Sequence, residues 1–222
     1  MYNGKPAVNS VNGDPAVLSR ILPLAKRYGA AVVGLTLDQG GLPQSAQERL
    51  ALARRILEAA LAQGIPRRDL WIDCLTLTIS AQQDQARETL EAIRQVREEL
   101  GLQTTLGISN ISFGLPQREN INAAFYLMAL QSGLDAAILN PGDDNARAAF
   151  YSACALNGRD DGCRRYLEAF AGVGQAVEPR ADEDALRSAV RQGLPGEAAR
   201  AARALFSAAA SFTDESYMKY IA

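Results

Sequence analysis

The chain contains no histidine. That one absence removes Ser-His-Asp and Cys-His nucleophile systems, imidazole acids and bases, and histidine-ligated metals. Any chemistry must therefore run on carboxylates, amides, hydroxyls, Lys, Arg or a bound cofactor. Cysteine is scarce: Cys74, Cys154 and Cys163 are an odd set without a CxxC pair, which fits reduced thiols better than a disulfide framework or a zinc site. No apolar run approaches the ~18–20 residues of a membrane span, and MYNGKPAVNS has no charged segment leading into an apolar one. The chain therefore reads as soluble and cytoplasmic, without a membrane partner. A basic excess is also missing, with 23 Lys plus Arg against 25 Asp plus Glu and a net charge of -2. Nucleic acid is accordingly not an expected partner.

What is present is ordinary globular composition, 222 residues of which 48% are hydrophobic, carrying one phrase five times. A short apolar run ends in a polar residue and a turn, and an amphipathic helix follows. The runs are Pro6 to Ser10, Ala30 to Leu37, Leu70 to Leu75, Thr104 to Asn110 and Leu134 to Asn140. Near-continuous apolar runs of that length predict buried parallel strands. Strand ends at residues 10, 37, 73, 110 and 140 recur at about the ~30-residue interval of a βαβ unit. Between them, Asp14 with Pro15 predicts a capped helix start, and Ser45 to Gln63, Gln82 to Leu100 and Gln117 to Ser132 predict further helices, with glycine stops at 29, 64, 101 and 133. Asn145 to Ala155 and Arg164 to Ala171 read as helices too.

The pattern predicts an α/β body over residues 1–171, a linker over 172–183 and an Ala- and Arg-rich helical segment over 184–222, with Pro195-Gly196 as the turn between its two helices. A Rossmann sheet would show GxGxxG after its first strand, and Asn9-Ser10-Val11-Asn12-Gly13-Asp14 does not. The expected fold is therefore part of a (β/α)8 barrel with about five parallel strands, a full barrel needing ~250 residues.

Sites in such folds lie at the carboxyl ends of the strands. That directs attention to Asn9, Ser10, Thr36, Asp38, Asp73, Ser109, Asn110, Ser112 and Asn140. A set of amides and carboxylates suits a heterocycle with amide and amino edges, since a carboxylate accepts two parallel N–H donors and an Asn offers one donor and one acceptor. The competing reading makes these residues helix caps. Asp73 fits that reading poorly, because the apolar run Leu75 to Ile79 follows it directly.

The segments AVNSVNGD, GLTLDQGGLP, LWIDCLTLTIS and LGISNISFGLPQRENINAAFYLMALQSGLDAAILNPGD closely resemble the pterin-binding domain of methyltetrahydrofolate methyltransferases. That family includes the folate domain of cobalamin-dependent methionine synthase and the methyltransferase serving the corrinoid iron–sulfur protein. The most specific phrase is GxSNxSFGLPxR at Gly107 to Arg118, and the likeness runs from about Lys5 to Phe170. It implies a TIM barrel that moves the N5 methyl of 5-methyltetrahydrofolate to the cobalt of a corrinoid, within methionine synthesis. The corrinoid (cobalamin) would be carried by another domain or protein, because no corrinoid-ligating His can come from this chain.

By the same resemblance, Asn110 reaches N5 as the catalytic amide, and Asn9 and Asp73 hold the pterin; from their place at the strand ends Ser10, Ser112 and Asn140 join the substrate site, where Ser109 and Ser112 could also orient Asn110, and Arg118 could contact the folate tail or the corrinoid partner, with no metal ligands. Dihydropteroate synthase shares the barrel, but its basic Lys loop and Arg-x-His ending are not found here. Family members carry three further βα units before the position of Lys5. Residues 1–222 are thus expected to form about five-eighths of a barrel, needing those units in trans or associating as a homo-oligomer. A folate-binding or assembly fragment without catalysis is the alternative function. The segment from Asp184 on resembles the opening helices of the cap that precedes a corrinoid domain.

Overall fold

The computed structural model describes residues 3–171, 181–191 and 193–209. They divide into two compact units, one up to residue 166 and one from residue 167 on. In the first unit, strands β1 (Ala7–Asn12), β2 (Ala31–Leu35), β3 (Leu70–Asp73), β4 (Gln103–Gly107) and β5 (Ala136–Ile138) alternate with helices. These are α1 (Pro15–Arg27), α2 (Ala46–Ala62), α3 (Gln85–Gln95) and α4 (Arg118–Gln131), followed by α5 (Asp144–Leu156); α6 (Arg164–Phe170) runs across the division at residue 166.

All pairings are parallel, and the sheet order is β1-β2-β3-β4-β5. A doubly wound sheet reverses its strand order at a switch point. This sheet runs one way throughout, as a barrel does.

Local chemistry sets the elements. Asp14 caps α1 by accepting from the Ala16 N–H at 2.8 Å, and Pro15 occupies the first turn, where no N–H is needed. Ser45 caps α2 through the Glu48 N–H. Strand residues alternate between two environments. Val32, Leu70, Ile72, Cys74 and Leu106 are buried against Ile56, Ala60, Ala92, Ile93 and Val96 of the helical layer. Gly34 lets α2 close on the sheet, since a Cβ there would meet the Ile56 side chain at 2.8 Å. The opposite face carries Val33, Leu35, Trp71 and Asp73, all only partly buried. Trp71 lies on that inner face one inward rung below Asp73.

Four expectations shift. The first strand continues to Asn12, because Asn9 pairs with Val33 and Val11 with the next residue Gly34, leaving Ser10 as an unpaired bulge; the Asn9–Ser10 peptide is cis. The third helix starts at Gln85, not Gln82, and passes through a π turn, Val96–Leu100, before Gly101. The fifth strand shortens to the three residues that pair with β4, Ala136–Ile138. In the second unit, α7 (Ala181–Arg191) and α8 (Pro195–Ala209) form a hairpin whose turn includes Gly193. Pro195 opens α8 and does not make the turn, consistent with the preference of proline for the first helical position. Residues 172–180 of the expected linker lie outside the described residues.

Candidate active site

Asp73 ends β3 on the inner face. Its rung reads Asn12, Leu35, Asp73, Thr105 and Ala136 across the five strands. The carboxylate is partly buried, and its Oδ1 accepts from the Leu75 N–H at 2.9 Å. No other donor reaches it among the described residues, so its second oxygen is unspent. Burial pushes its pKa up from 3.8 to about 6, against the lowering effect of the Leu75 N–H. The turn that follows is tightly built. Leu75 is left-handed at φ 62, an unusual place for a bulky residue. The Asp73 carbonyl accepts from both the N–H and the hydroxyl of Thr36, at 3.0 and 3.1 Å. Thr36 is thus fully buried and occupied.

Asn110 stands on the short 3-10 segment Ile108–Ser112 that follows β4. It is exposed, no protein group hydrogen-bonds its carboxamide among the described residues, and its Nδ2 lies over Gly107, where a Cβ would come within 3.3 Å. Beneath it the segment is braced. Arg118, at the start of α4, donates from Nη2 to the Ser109 carbonyl at 2.6 Å and from Nε to the Ser112 hydroxyl at 3.0 Å. Ser112 has no exposed surface, and its Oγ lies 2.7 Å from Asn122 Oδ1. Sequence reasoning grouped Ser112 and Arg118 with the substrate contacts. In the structure the Ser112 hydroxyl and two Arg118 nitrogens bond within the loop that carries Asn110, and Arg118 also lines the cavity beside it.

The other expected residues divide. Asn9 and Ser10 are exposed in mid-β1, with no hydrogen bond to either side chain among the described residues. Asn12, not singled out from the sequence, ends that strand on the Asp73 rung while accepting the Asp14 N–H at 3.1 Å. Its signal was the second Asn of NSVN, hidden because the strand appeared to stop at Ser10. Asn140 closes its own turn, accepting from the Gly142 N–H at 3.0 Å, and shares a cavity of about 490 Å³ with Ser109, Gln117, Arg118, Asn122 and Asp143. Asp38 is engaged elsewhere: the Gly40 N–H and then Arg55, at 2.7 Å, hold its carboxyl below the usual range.

The loops after β3 and β4 are joined. Ile79 N–H donates to the Ile111 carbonyl at 3.0 Å, and the hydroxyls of Thr78 and Ser80 both donate to the Phe113 carbonyl, at 2.8 and 2.9 Å. Arg118 lies over the Phe113 ring at 5.9 Å. At one end of the sheet, then, an unspent carboxylate oxygen on Asp73 and an unspent carboxamide on Asn110 are offered on loops tied to each other.

The pterin binding enzyme family matches residues 1–140. This chain belongs to that family. The methionine synthase of Mycobacterium tuberculosis (strain ATCC 25618 / H37Rv) is 37% identical over 150 residues, which cover 62% of this chain and 13% of that protein. The Mycobacterium leprae (strain TN) methionine synthase is 35% identical over 150 residues, 62% of this chain and 12% of that protein. The methylcorrinoid:tetrahydrofolate methyltransferase of Eubacterium limosum is 29% identical over 168 residues, 73% of this chain and 61% of that protein. The chain thus spans about an eighth of the two methionine synthases and about three-fifths of the third relative. Membership fixes the fold: the five strands are a portion of a TIM barrel. Among the described residues no helix is long and apolar enough to cross a membrane, and no cluster of His, Cys, Asp or Glu could hold a metal ion.

Proposed function

We propose that this chain binds the pterin of 5-methyltetrahydrofolate at its strand ends and serves the transfer of the N5 methyl to the cobalt of a corrinoid. The observation that carries the reading is Asp73. Its free oxygen, in a partly buried setting, suits the parallel N–H donors on the amino and amide edge of a pterin, and no protein donor competes for it. Asn9 contributes a second amide to the same inner face. Asn110 offers an unspent carboxamide above the sheet, suited to hydrogen-bond N5 and favour the proton that N5 needs in order to release its methyl. Ser112 and Arg118 act by fixing the Asn110 loop.

The corrinoid supplies the nucleophilic metal when its carrier docks. In this chain there is no His to ligate it, so the carrier is another domain or protein, and the similarity to methionine synthases supports a place in methionine formation. Five strands line five-eighths of an eight-stranded barrel. A closed pocket therefore needs three more βα units, from elsewhere in a longer chain or from a second polypeptide. The Eubacterium limosum likeness favours a second reading, transfer in the opposite direction on the same site.

Calorimetric titration with tetrahydrofolate, on the parent chain and on Asp73→Asn and Asn110→Ala, tests the proposal. Binding that Asp73→Asn removes supports it. Binding indifferent to both substitutions refutes it, and methyl-transfer assays in each direction then distinguish the two readings.

A further inference from the structure

Arg49 is the bulkiest of the fully buried side chains among the described residues, on α2 next to Leu50, Ala53 and Ile56. A buried guanidinium is costly unless it is well partnered, and burial pulls its pKa down. Glu88 and Glu48 are close enough to favour the charge, yet their carboxylates accept the Ala46 and Gln44 N–H groups, at 2.7 Å each. Arg49 gives its own donors to uncharged acceptors: Nε to the Cys74 carbonyl at 3.0 Å, Nη1 to the Ser45 carbonyl at 3.2 Å and Nη2 to Gln85 Oε1 at 2.7 Å. At the carbonyl after that of Cys74, the fully buried Thr89 hydroxyl lies 3.1 Å from Leu75 O, and it lies 2.9 Å from its own helix's Gln85 carbonyl.

Two helices thus reach the two consecutive carbonyls that follow Asp73. The segment they hold contains the left-handed Leu75, whose N–H fixes one oxygen of the Asp73 carboxylate. An isolated chain has no reason to keep a leucine there, since that conformation is unfavourable for a residue with a bulky side chain. One hydrogen bond of a buried charge, from Arg49 Nε to the Cys74 carbonyl, reaches the backbone of this turn, while its other two anchor the guanidinium on Ser45 and Gln85.

We infer that Arg49, with Thr89, is a positioning residue for Asp73, locking the left-handed turn at Leu75 and so fixing where the carboxylate points. The inference rests on the reading of Asp73 as the pterin-binding carboxylate. It is tested in two ways, one of which needs no ligand. In Arg49→Met, and in the nearly isosteric Thr89→Val should the first fail to fold, amide hydrogen exchange at Leu75 is expected to accelerate by about tenfold or more while the Ile72 amide keeps its rate. Tetrahydrofolate affinity, measured by calorimetry, is expected to fall about tenfold in either variant but by less than about twofold when Asp73 is already Asn, because coupled residues do not add.

An unchanged Leu75 amide, or equal acceleration at Leu75 and Ile72, overturns the inference. So does an affinity loss of the same size in both backgrounds, which is what a merely structural arginine would give. If the parent chain takes up no tetrahydrofolate, the ligand reading fails, and the exchange at Leu75 still decides whether Arg49 and Thr89 hold the turn.

Discussion

Replacing Asp73 by Asn should make the protein more stable and less able to bind. The carboxyl's pKa is raised from 3.8 to about 6 in the folded chain, mainly by burial. Between about pH 4 and pH 6, the folded protein therefore keeps a proton that the unfolded chain has lost. Stability consequently falls as pH rises through that window and stays at the lower level above it. Each pH unit of the window is worth 1.36 kcal/mol, which sets an upper bound of about 3 kcal/mol. Solvent access to the partly open carboxylate brings the expected penalty at pH 7 to about 1–3 kcal/mol.

Asn keeps an oxygen for the Leu75 N–H and carries no charge to desolvate. Asp73→Asn should accordingly raise the melting temperature by about 2–10 °C at pH 7 and by little at pH 4, where both proteins are neutral at this position. The same substitution replaces the free acceptor oxygen with a donor facing the ligand's own donors. A lost charge-assisted hydrogen bond is worth about 1.5–3 kcal/mol, so tetrahydrofolate affinity should drop by about 10- to 150-fold. Differential scanning calorimetry at the two pH values, with titration calorimetry at pH 7, measures both effects. A variant no more stable than the parent at pH 7, or one whose stability difference is the same at pH 4, refutes the reasoning.

Three further outcomes are expected. Asn110→Ala should leave the melting temperature within about 1 °C, since the side chain is exposed and unbonded, while slowing methyl transfer to an added corrinoid by about 10²-fold or more; a rate within threefold of the parent would remove Asn110 from the chemistry. Arg118→Met deletes the bonds to Ser109 and Ser112 and should speed amide exchange across Ile108–Ser112 with smaller effects in β3, a contrast that mass spectrometry can resolve. Among the described residues, strands β1 and β5 each pair on one side only, and Leu24 and Tyr28 border an apolar groove of about 430 Å³ beside β1. Unpaired edges and exposed apolar surface favour association, so light scattering should show species larger than 23.8 kDa, and a clean monomer at high concentration would contradict this.

Much of the body was legible in the sequence because its signals are local. Asp14-Pro15 and Ser45 announce helix starts within three residues of the bonds they make, and apolar runs between polar turns mark all five strands. Asp73 was conspicuous as a carboxylate followed by an apolar run where no helix begins. What stayed hidden depends on partners distant in the chain. Arg49 meets Cys74 25 residues away, so the periodicity of α2 shows it only as a charged residue on an otherwise apolar face. Ser10 as a bulge follows from pairing with β2, which moves the strand end to Asn12. The bonds of Ser112 and Arg118 to the Asn110 loop were hidden as well, because they form only when α4 folds back onto that loop.

The ties from Thr78 and Ser80 to the carbonyl of Phe113 make the β3 and β4 loops a single mechanical part. A ligand that contacted two independent loops would have to freeze both, and each ordered segment would subtract from its affinity. Here that entropy is surrendered once, when the chain folds. In the roles proposed for them, Asp73 at the ring edge and Asn110 at N5 would then keep a constant spacing, and the loops would act as a gauge of the ligand's length: an analogue with the right edge but a displaced N5 could not satisfy both ends by loop adjustment.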